Sequence, residues 1–416
     1  MKFQKTLCLT VMALVASGAA AENARFLSPS DTDLAAGELV AGTSKAQRPG
    51  VSQEPVTFTY AIDAETEIRS EVVPPVTRSK EYFVEVDADQ LRRGATIFTT
   101  APGALVRINP AASAQMKGRA AGLAVDPSAL VLRAAGGDTF PAGKGMSRLV
   151  DAEQLKATGV PFAAGTTAFR IAPEVGVGAL TIAAPGLKSN AVYAIHVLDK
   201  ESDVVLAMGA SKADYFHGQN LRLNARFEDA AGVFTADSME GFVTAPGGQA
   251  WPVTFKATRD GEFHTTLPLD AAAGAGEGLW ELHMVAQGER DGLTVVRNAS
   301  TAFAAHVPTA AFDGSARLHK TAGLSVALGV EVATAGRYEV RGVVFGTNGA
   351  GELVPFAAAH SADWLDASGS LTLTVEPKLI RDAGVQAPFE VRDLRLLDQG
   401  RMGVLHRQAR GLVIER

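Results

Sequence analysis

Short runs in which apolar and polar residues alternate, each closed by turn-forming residues, recur through most of this chain. They constrain its fold more than any other feature, because alternation with a period of two places every second side chain on one face of a strand. Phe263-His264-Thr265-Thr266-Leu267 alternates after the turn signal Asp260-Gly261. Trp280, Leu282 and Met284 fall on one face, Glu281 and His283 on the other, and Asp291-Gly292 starts a turn into Leu293 to Ala305. Leu371 to Val375 alternates cleanly, and Tyr338 to Phe345 leads into the hairpin signal Gly346-Thr347-Asn348-Gly349. Val192 to Leu198 and Val204 to Met208 flank Asp199 to Asp203, which reads as one more hairpin turn. Helical patterns are brief: Asp87 to Arg93 before Gly94, Asp151 to Thr158 before Gly159, and Pro377 to Ala383 before Gly384. Strands of about six residues with turns every 8–12 predict a mainly β chain of tandem antiparallel β-sandwich, Ig-like modules.

At 416 residues the chain exceeds what one core serves. Its beginning reads as a signal peptide over 1–21: Lys2 and Lys5 precede the apolar stretch Leu7 to Val15, and Ser17-Gly18-Ala19-Ala20-Ala21 supplies small residues for cleavage after Ala21. That stretch is shorter than the roughly 20 apolar residues a membrane-spanning helix needs. No later segment qualifies; the most apolar window, Ile171 to Leu187, is broken by prolines and glycines. Residues 22–80 form an extended, partly disordered leader with Ser-Pro-Ser and Val-Val-Pro-Pro-Val, in which Val56 to Tyr60 alternates like a strand able to pair with the body. The body divides into a first β-rich module over 81–216, an Ig-like sandwich over 217–308 and a C-terminal sandwich over 309–416. The expected location is periplasmic or extracellular, with no transmembrane segment in the mature chain.

Charge and cysteine usage then remove whole classes of function. With 39 Lys+Arg against 45 Asp+Glu, the formal charge of −6 supplies no polybasic grip on phosphate backbones, so no nucleic-acid partner is expected. The single cysteine, Cys8, lies inside the targeting segment. The mature chain therefore lacks disulfides, thiol nucleophiles and thiolate metal sites.

The chemistry-bearing residues do not assemble into a motif. The nearest approach to a serine elbow, Gly145-Met146-Ser147-Arg148-Leu149, lacks the second glycine and reads as a loop. None of the eight histidines, His196, His217, His264, His283, His306, His319, His360 and His406, stands in zinc-hydrolase spacing. His264 and His283 take outward positions on strands; His196, in an apolar strand, reads as a satisfied core or interface side chain. No catalytic or cofactor-binding residue is assigned. Calcium is the one metal considered, through Asp229, Asp237 and Glu240 or through Asp199, Glu201 and Asp203, although neither group matches the helix-flanked calcium loop. Gly274-Ala275-Gly276-Glu277-Gly278 has glycines but lacks the Lys-Ser/Thr of a phosphate loop. Trp280 reads as core, and Trp251 and Trp364 as partly buried.

Several stretches resemble a family of exported bacterial proteins known as domain of unknown function 4785. They are Glu81-Tyr82-Phe83, then Gly94-Ala95-Thr96-Ile97-Phe98-Thr99-Thr100-Ala101-Pro102-Gly103-Ala104-Leu105-Val106-Arg107-Ile108, and Gly278-Leu279-Trp280-Glu281. The resemblance implies a secreted, several-module β architecture with Ig-like domains and carries over no activity and no catalytic residue. The expectation is a non-catalytic exported protein that binds a protein or cell-envelope component through module surfaces or strand edges. The alternative is a secreted hydrolase whose residues assemble from separate segments of 81–216.

Overall fold

The computed structural model describes residues 24–41, 50, 52–70, 72–110, 123–151, 153, 165–269, 278–319 and 321–415. The proposed signal peptide, the helix expected after Asp151 and the Gly274 to Gly278 loop lie outside these residues, wholly or for the most part. The chain is mainly β, and its sheets pair face to face over three separate apolar cores. It is a multi-module β-sandwich protein. None of the described helices is long and apolar enough to cross a membrane.

The described residues form two compact units, the first built from residues before 72 together with those from Pro308 onward. Its larger sheet runs in the order Ala24–Phe26, Gly403–Ile414, Gln386–Asp398, Gly336–Thr347, Leu353–Leu365, Val56–Ala61, and Leu34–Ala35 also pairs with Gly403–Ile414. A three-stranded sheet of Ala310–Leu318, Leu324–Val332 and Gly369–Val375 covers the inner face. Alternation explains the core: Val326, Leu328 and Val330 from one sheet meet Val340, Val344, Leu394 and Leu396 from the other. The leader is thus part of this sandwich. Ala24 is buried in its core, and Val56–Ala61 forms its edge, with the Thr57 hydroxyl 3.3 Å from that of Ser361.

The second unit, Val72–Val307, holds two sandwiches. In one, the strands Met146–Val150, Thr167–Ile171, Leu105–Pro110, Val192–Leu198 and Glu81–Asp87 face a second sheet that includes Ala95–Thr99 and Gly178–Ala183. The helix Ala88–Arg93 starts at Asp87, whose carboxylate accepts from Gln90 N while the Gln90 side chain accepts from Asp87 N, and ends at Gly94 with φ of 124°. In the other, Ala236–Thr244, Trp280–Arg290 and Leu293–His306 lie in a five-stranded sheet opposite Val205–Ala210, Asn220–Asp229 and Phe263–Pro268. The Asp291-Gly292 turn has both residues at positive φ, 53° and 75°, which suits a two-residue hairpin.

Two expectations change. Val192–Leu198 and Val205–Ala210 are not a hairpin: they belong to different sheets in different sandwiches. The residues between them cross from one module to the next, and the Asp199 side chain is drawn inward instead of capping a surface turn. Accordingly Val205–Ala210 and Asp214–Phe216, placed by their sequence at the end of the first block, pack in the second core, which begins at Val204. Residues 145–149 are also not a loop. Met146–Val150 is a strand paired with Thr167–Ile171, and Ser147 stands opposite Arg170.

Candidate functional site

Where the two sandwiches of the second unit meet, strand Leu293–His306 serves both. Its inward alternation, Val295, Arg297, Ala299, fills its own core except at Arg297, while the intervening Val296 packs on the core of the neighbouring sandwich. Arg297 has no exposed surface. Its Nη2 donates to Asp199 Oδ2 at 3.1 Å, to Ser202 Oγ at 2.9 Å and to Thr100 Oγ1 at 3.2 Å, and Nη1 donates to Val296 O at 2.9 Å. Asp199, equally buried, also accepts from the backbone N–H groups of Thr100 and Ala101 at 2.8 and 3.3 Å. Burial pushes the Arg297 guanidinium below its ordinary range and raises the nearby Tyr82 phenol.

Beside this buried pair opens a cleft of about 1030 Å³. One wall is the outer face of the five-stranded sheet, where the register places Phe242, His283 and Ser300 in one row and Glu240, Val285 and Asn298 in the next. Gly241 lets the two strands carrying these rows approach: a Cβ there would stand 2.5 Å from the His283 carbonyl oxygen. The other wall comes from Thr77–Ser79, Lys80, Glu81, Phe83 and Leu198. Phe83, Phe242 and Val285 remain 49%, 46% and 47% exposed, so large apolar side chains face the space from both walls. His283 stacks on Phe242 with ring centroids 4.8 Å apart, and its Nε2 lies 3.2 Å from Glu281. Arg78, Lys80 and Lys200 on the lining are nearly matched by Glu81 and Glu240, and Arg78 is paired with Glu228. The lining is therefore chiefly apolar, with no strong field of either sign.

His196 lies behind Phe83, stacked on it at 4.2 Å and almost fully buried. Arg107 Nε donates to its Nδ1 at 2.9 Å, and guanidinium can only donate. His196 Nδ1 is thus unprotonated, and Nε2 carries the hydrogen, donated to Glu81 Oε2 at 2.8 Å. That hydrogen bond holds the Glu81 carboxyl below the usual carboxylate range. With both ring nitrogens engaged, His196 has no lone pair to offer a metal or a substrate.

The remaining candidates are dispersed. Asp199 is taken up by Arg297, separating it from Glu201 and Asp203, which are exposed. Asp229 Oδ1 accepts from the N–H groups of Ala231 and Gly232, and Oδ2 lies 2.6 Å from Arg290 Nε. Asp237 and Glu240 are exposed. Among the described residues no three His, Cys, Asp or Glu side chains lie together as metal ligands. Trp280 is buried with Trp251 stacked on it at 5.7 Å, and partly buried Trp364 donates through Nε1 to Asp366 at 2.8 Å. The cleft itself was missed by sequence reasoning, since its residues come from segments more than 200 positions apart; the one available signal was an apolar residue, Phe242 or Val285, on the outward side of an alternating strand.

Fold and site together define a multi-module β-sandwich protein with an apolar cleft at the junction of two modules. The chain belongs to the DUF4785 family, a domain of unknown function: residues 47–199 match its N-terminal domain, 202–306 its central domain and 309–415 its C-terminal domain. The boundary at 199/202 coincides with the Asp199 crossing. The N-terminal match, by contrast, takes in Val56–Ala61, which pairs with Leu353–Leu365 of the C-terminal match. The chain is similar in fold to the crystal structure of a DUF4785 family protein from Legionella pneumophila, with 22% identity, a TM-score of 0.70, and 91% of this chain and 98% of that one covered. Weaker likenesses are to Escherichia coli alpha-2-macroglobulin (15% identity, TM-score 0.30, 82% of this chain and 20% of that one) and to an Escherichia coli adhesin (16%, 0.21, 83% and 99%). At those TM-scores no common overall fold is established. No curated protein matches the chain.

Proposed function

We propose that the protein is exported and acts without catalysis, binding a protein or cell-envelope component, and that its cleft takes a protein segment carrying apolar side chains. The observation that carries this reading is the convergence of half-exposed Phe83, Phe242 and Val285 on one space of about 1030 Å³. Exposed apolar groups gathered in a concave site gain more from a partner than the same groups scattered on a surface. The buried Arg297–Asp199 pair beside the cleft supports the same reading, because it ties a strand of the five-stranded sheet to the segment that follows Leu198 on the other wall. Export rests on the charged, apolar and small-residue segments at the start of the sequence. The hydrolase alternative within 81–216 gains nothing from its best acid–base pair, since Glu81 and Arg107 together occupy both nitrogens of His196.

A displayed peptide library panned on the mature protein tests the proposal. Enriched peptides should carry two or more apolar side chains, compete with one another, and bind Phe242→Glu at least about tenfold more weakly, a loss of about 1.4 kcal/mol. Failure to enrich any peptide, or equal binding to Phe242→Glu, overturns the assignment of the cleft.

A further inference from the structure

The outer face of the seven-stranded sheet in the first unit carries an arrangement independent of the cleft. Strand register lines up Phe58, His360, Arg341, Arg395 and Arg407 in a row across five strands. The adjacent row ends in Arg392 and Arg410, opposite each other. Like charges directly opposite on neighbouring strands destabilise a sheet, yet here arginine faces arginine at Arg341/Arg395, Arg395/Arg407 and Arg392/Arg410, in a chain whose formal charge is −6. Carboxylates offset part of the repulsion: Glu390 accepts from Arg392 and Arg410, and Asp393 from Arg395. Glu339, on the same face, is taken by His360 and Gln399. Among the described residues no hydrogen bond or ion pair ties the Arg341 guanidinium, which sits mid-row and partly exposed.

At one end of the row the sheet presents flat rings. Phe58 and Tyr60, 50% and 52% exposed, stack on His360 with centroids 4.6 and 5.9 Å away and interplanar angles of 9° and 24°. With strands about 4.8 Å apart, the row from Phe58 to Arg395 extends roughly 14 Å, and Arg407 beyond it is buried. We propose that this face binds an acidic polysaccharide, with a sugar ring against Phe58 and Tyr60 and its carboxylates on Arg341 and Arg395. Ring faces suit the C–H face of a sugar, and guanidinium groups match carboxylates in bidentate geometry. A single-stranded nucleic acid uses the same two groups, but it needs stacking platforms along its length and a groove of uniform sign. Here the rings stand at one edge, and Glu390 and Asp393 interrupt the arginines.

The test is titration calorimetry of the mature protein with purified polyuronate oligomers, with neutral dextran and oligo-dT as comparison probes, in chelator and low salt. Polyuronate should bind, dextran and oligo-dT much more weakly, and affinity should fall as salt screens the charges. Arg341→Gln and the Phe58→Ala/Tyr60→Ala pair should each weaken binding about tenfold or more. Arg259→Gln, which removes an exposed turn arginine from the other unit, should leave it unchanged. Circular dichroism confirms that each variant is folded. No binding of polyuronate, tighter binding of oligo-dT, or polyuronate affinity indifferent to Arg341→Gln and the aromatic pair each overturns the proposal.

Discussion

Replacing Arg297 by methionine isolates the buried charge pair at the module junction, since methionine keeps much of the apolar stem and removes the guanidinium. Asp199 would then retain the N–H groups of Thr100 and Ala101 and the Thr100 hydroxyl but lose its only counter-charge among the described residues. Val204 O and Ser202 Oγ would also lose a donor. Removing one partner of a fully buried pair costs about 3–5 kcal/mol, because the remaining charge is left uncompensated away from water. For a unit of this size that is a fall of roughly 6–20 °C in the melting temperature. Differential scanning calorimetry should show the drop in the transition of the unit Val72–Val307, with the other unit's transition unmoved. Asp199→Asn in the same background should recover part of the loss, with a coupling of about 0.5–3 kcal/mol in the double-mutant cycle. A loss below about 1 kcal/mol, the range of exposed pairs, or strict additivity in the cycle would refute the argument that this pair fixes the junction.

Other expectations follow from the same packing. Burial lowers the folded-state pKa of His406, so the unfolded chain binds the proton more readily. Unit-one stability should therefore be complete above the ordinary histidine range and fall as pH drops below about 6.5; His406→Gln should flatten that slope between pH 7 and 5 in melting experiments. Burial alone would raise the Glu390 carboxyl, but hydrogen bonds from Arg410 and Arg392 outweigh it and leave it below its ordinary value. Its stabilising contribution is present above the unfolded pKa and lost as pH falls further, so Glu390→Gln should lessen acid sensitivity below about pH 4.5. Trp280→Ala removes the largest fully buried side chain among the described residues and should cost about 3–5 kcal/mol by urea denaturation. Limited proteolysis should cut near exposed Val73, and the fragment carrying Val56–Ala61 should stay associated with the C-terminal sandwich through native size-exclusion chromatography.

How much of this was legible depends on whether the information is local. Phe263 to Leu267 and Leu371 to Val375 read correctly as strands because alternation is written within five residues. Asp87 to Arg93 and Pro377 to Ala383 read as short helices because their caps lie in sequence beside them. The leader's strands were harder. Ala24–Phe26 and Leu34–Ala35 are three and two residues long, too short for a period to show, and their stability comes from Gly403–Ile414 at the opposite end of the chain. Val56–Ala61 did show its alternation, but not that its partner is Leu353–Leu365.

Asp199 gives the sharper lesson. Among Lys200, Glu201 and Asp203 it looked like one more solvated turn carboxylate, and the turn looked like a hairpin. What reverses both readings is Arg297, ninety-eight residues away, whose only visible sign is a charged residue at the inward beat between Val295 and Ala299. A charge there implies a buried counter-charge, and the counter-charge implies that its loop turns inward. The loop can then no longer close a two-stranded ribbon, so the strands on either side are free to enter different sandwiches. One inward arginine thus marks the module boundary and removes a candidate metal ligand. Reversing the pair, with Asp199→Arg and Arg297→Asp together, should not restore stability, because the Thr100 and Ala101 N–H groups that hold the carboxylate would then face a guanidinium.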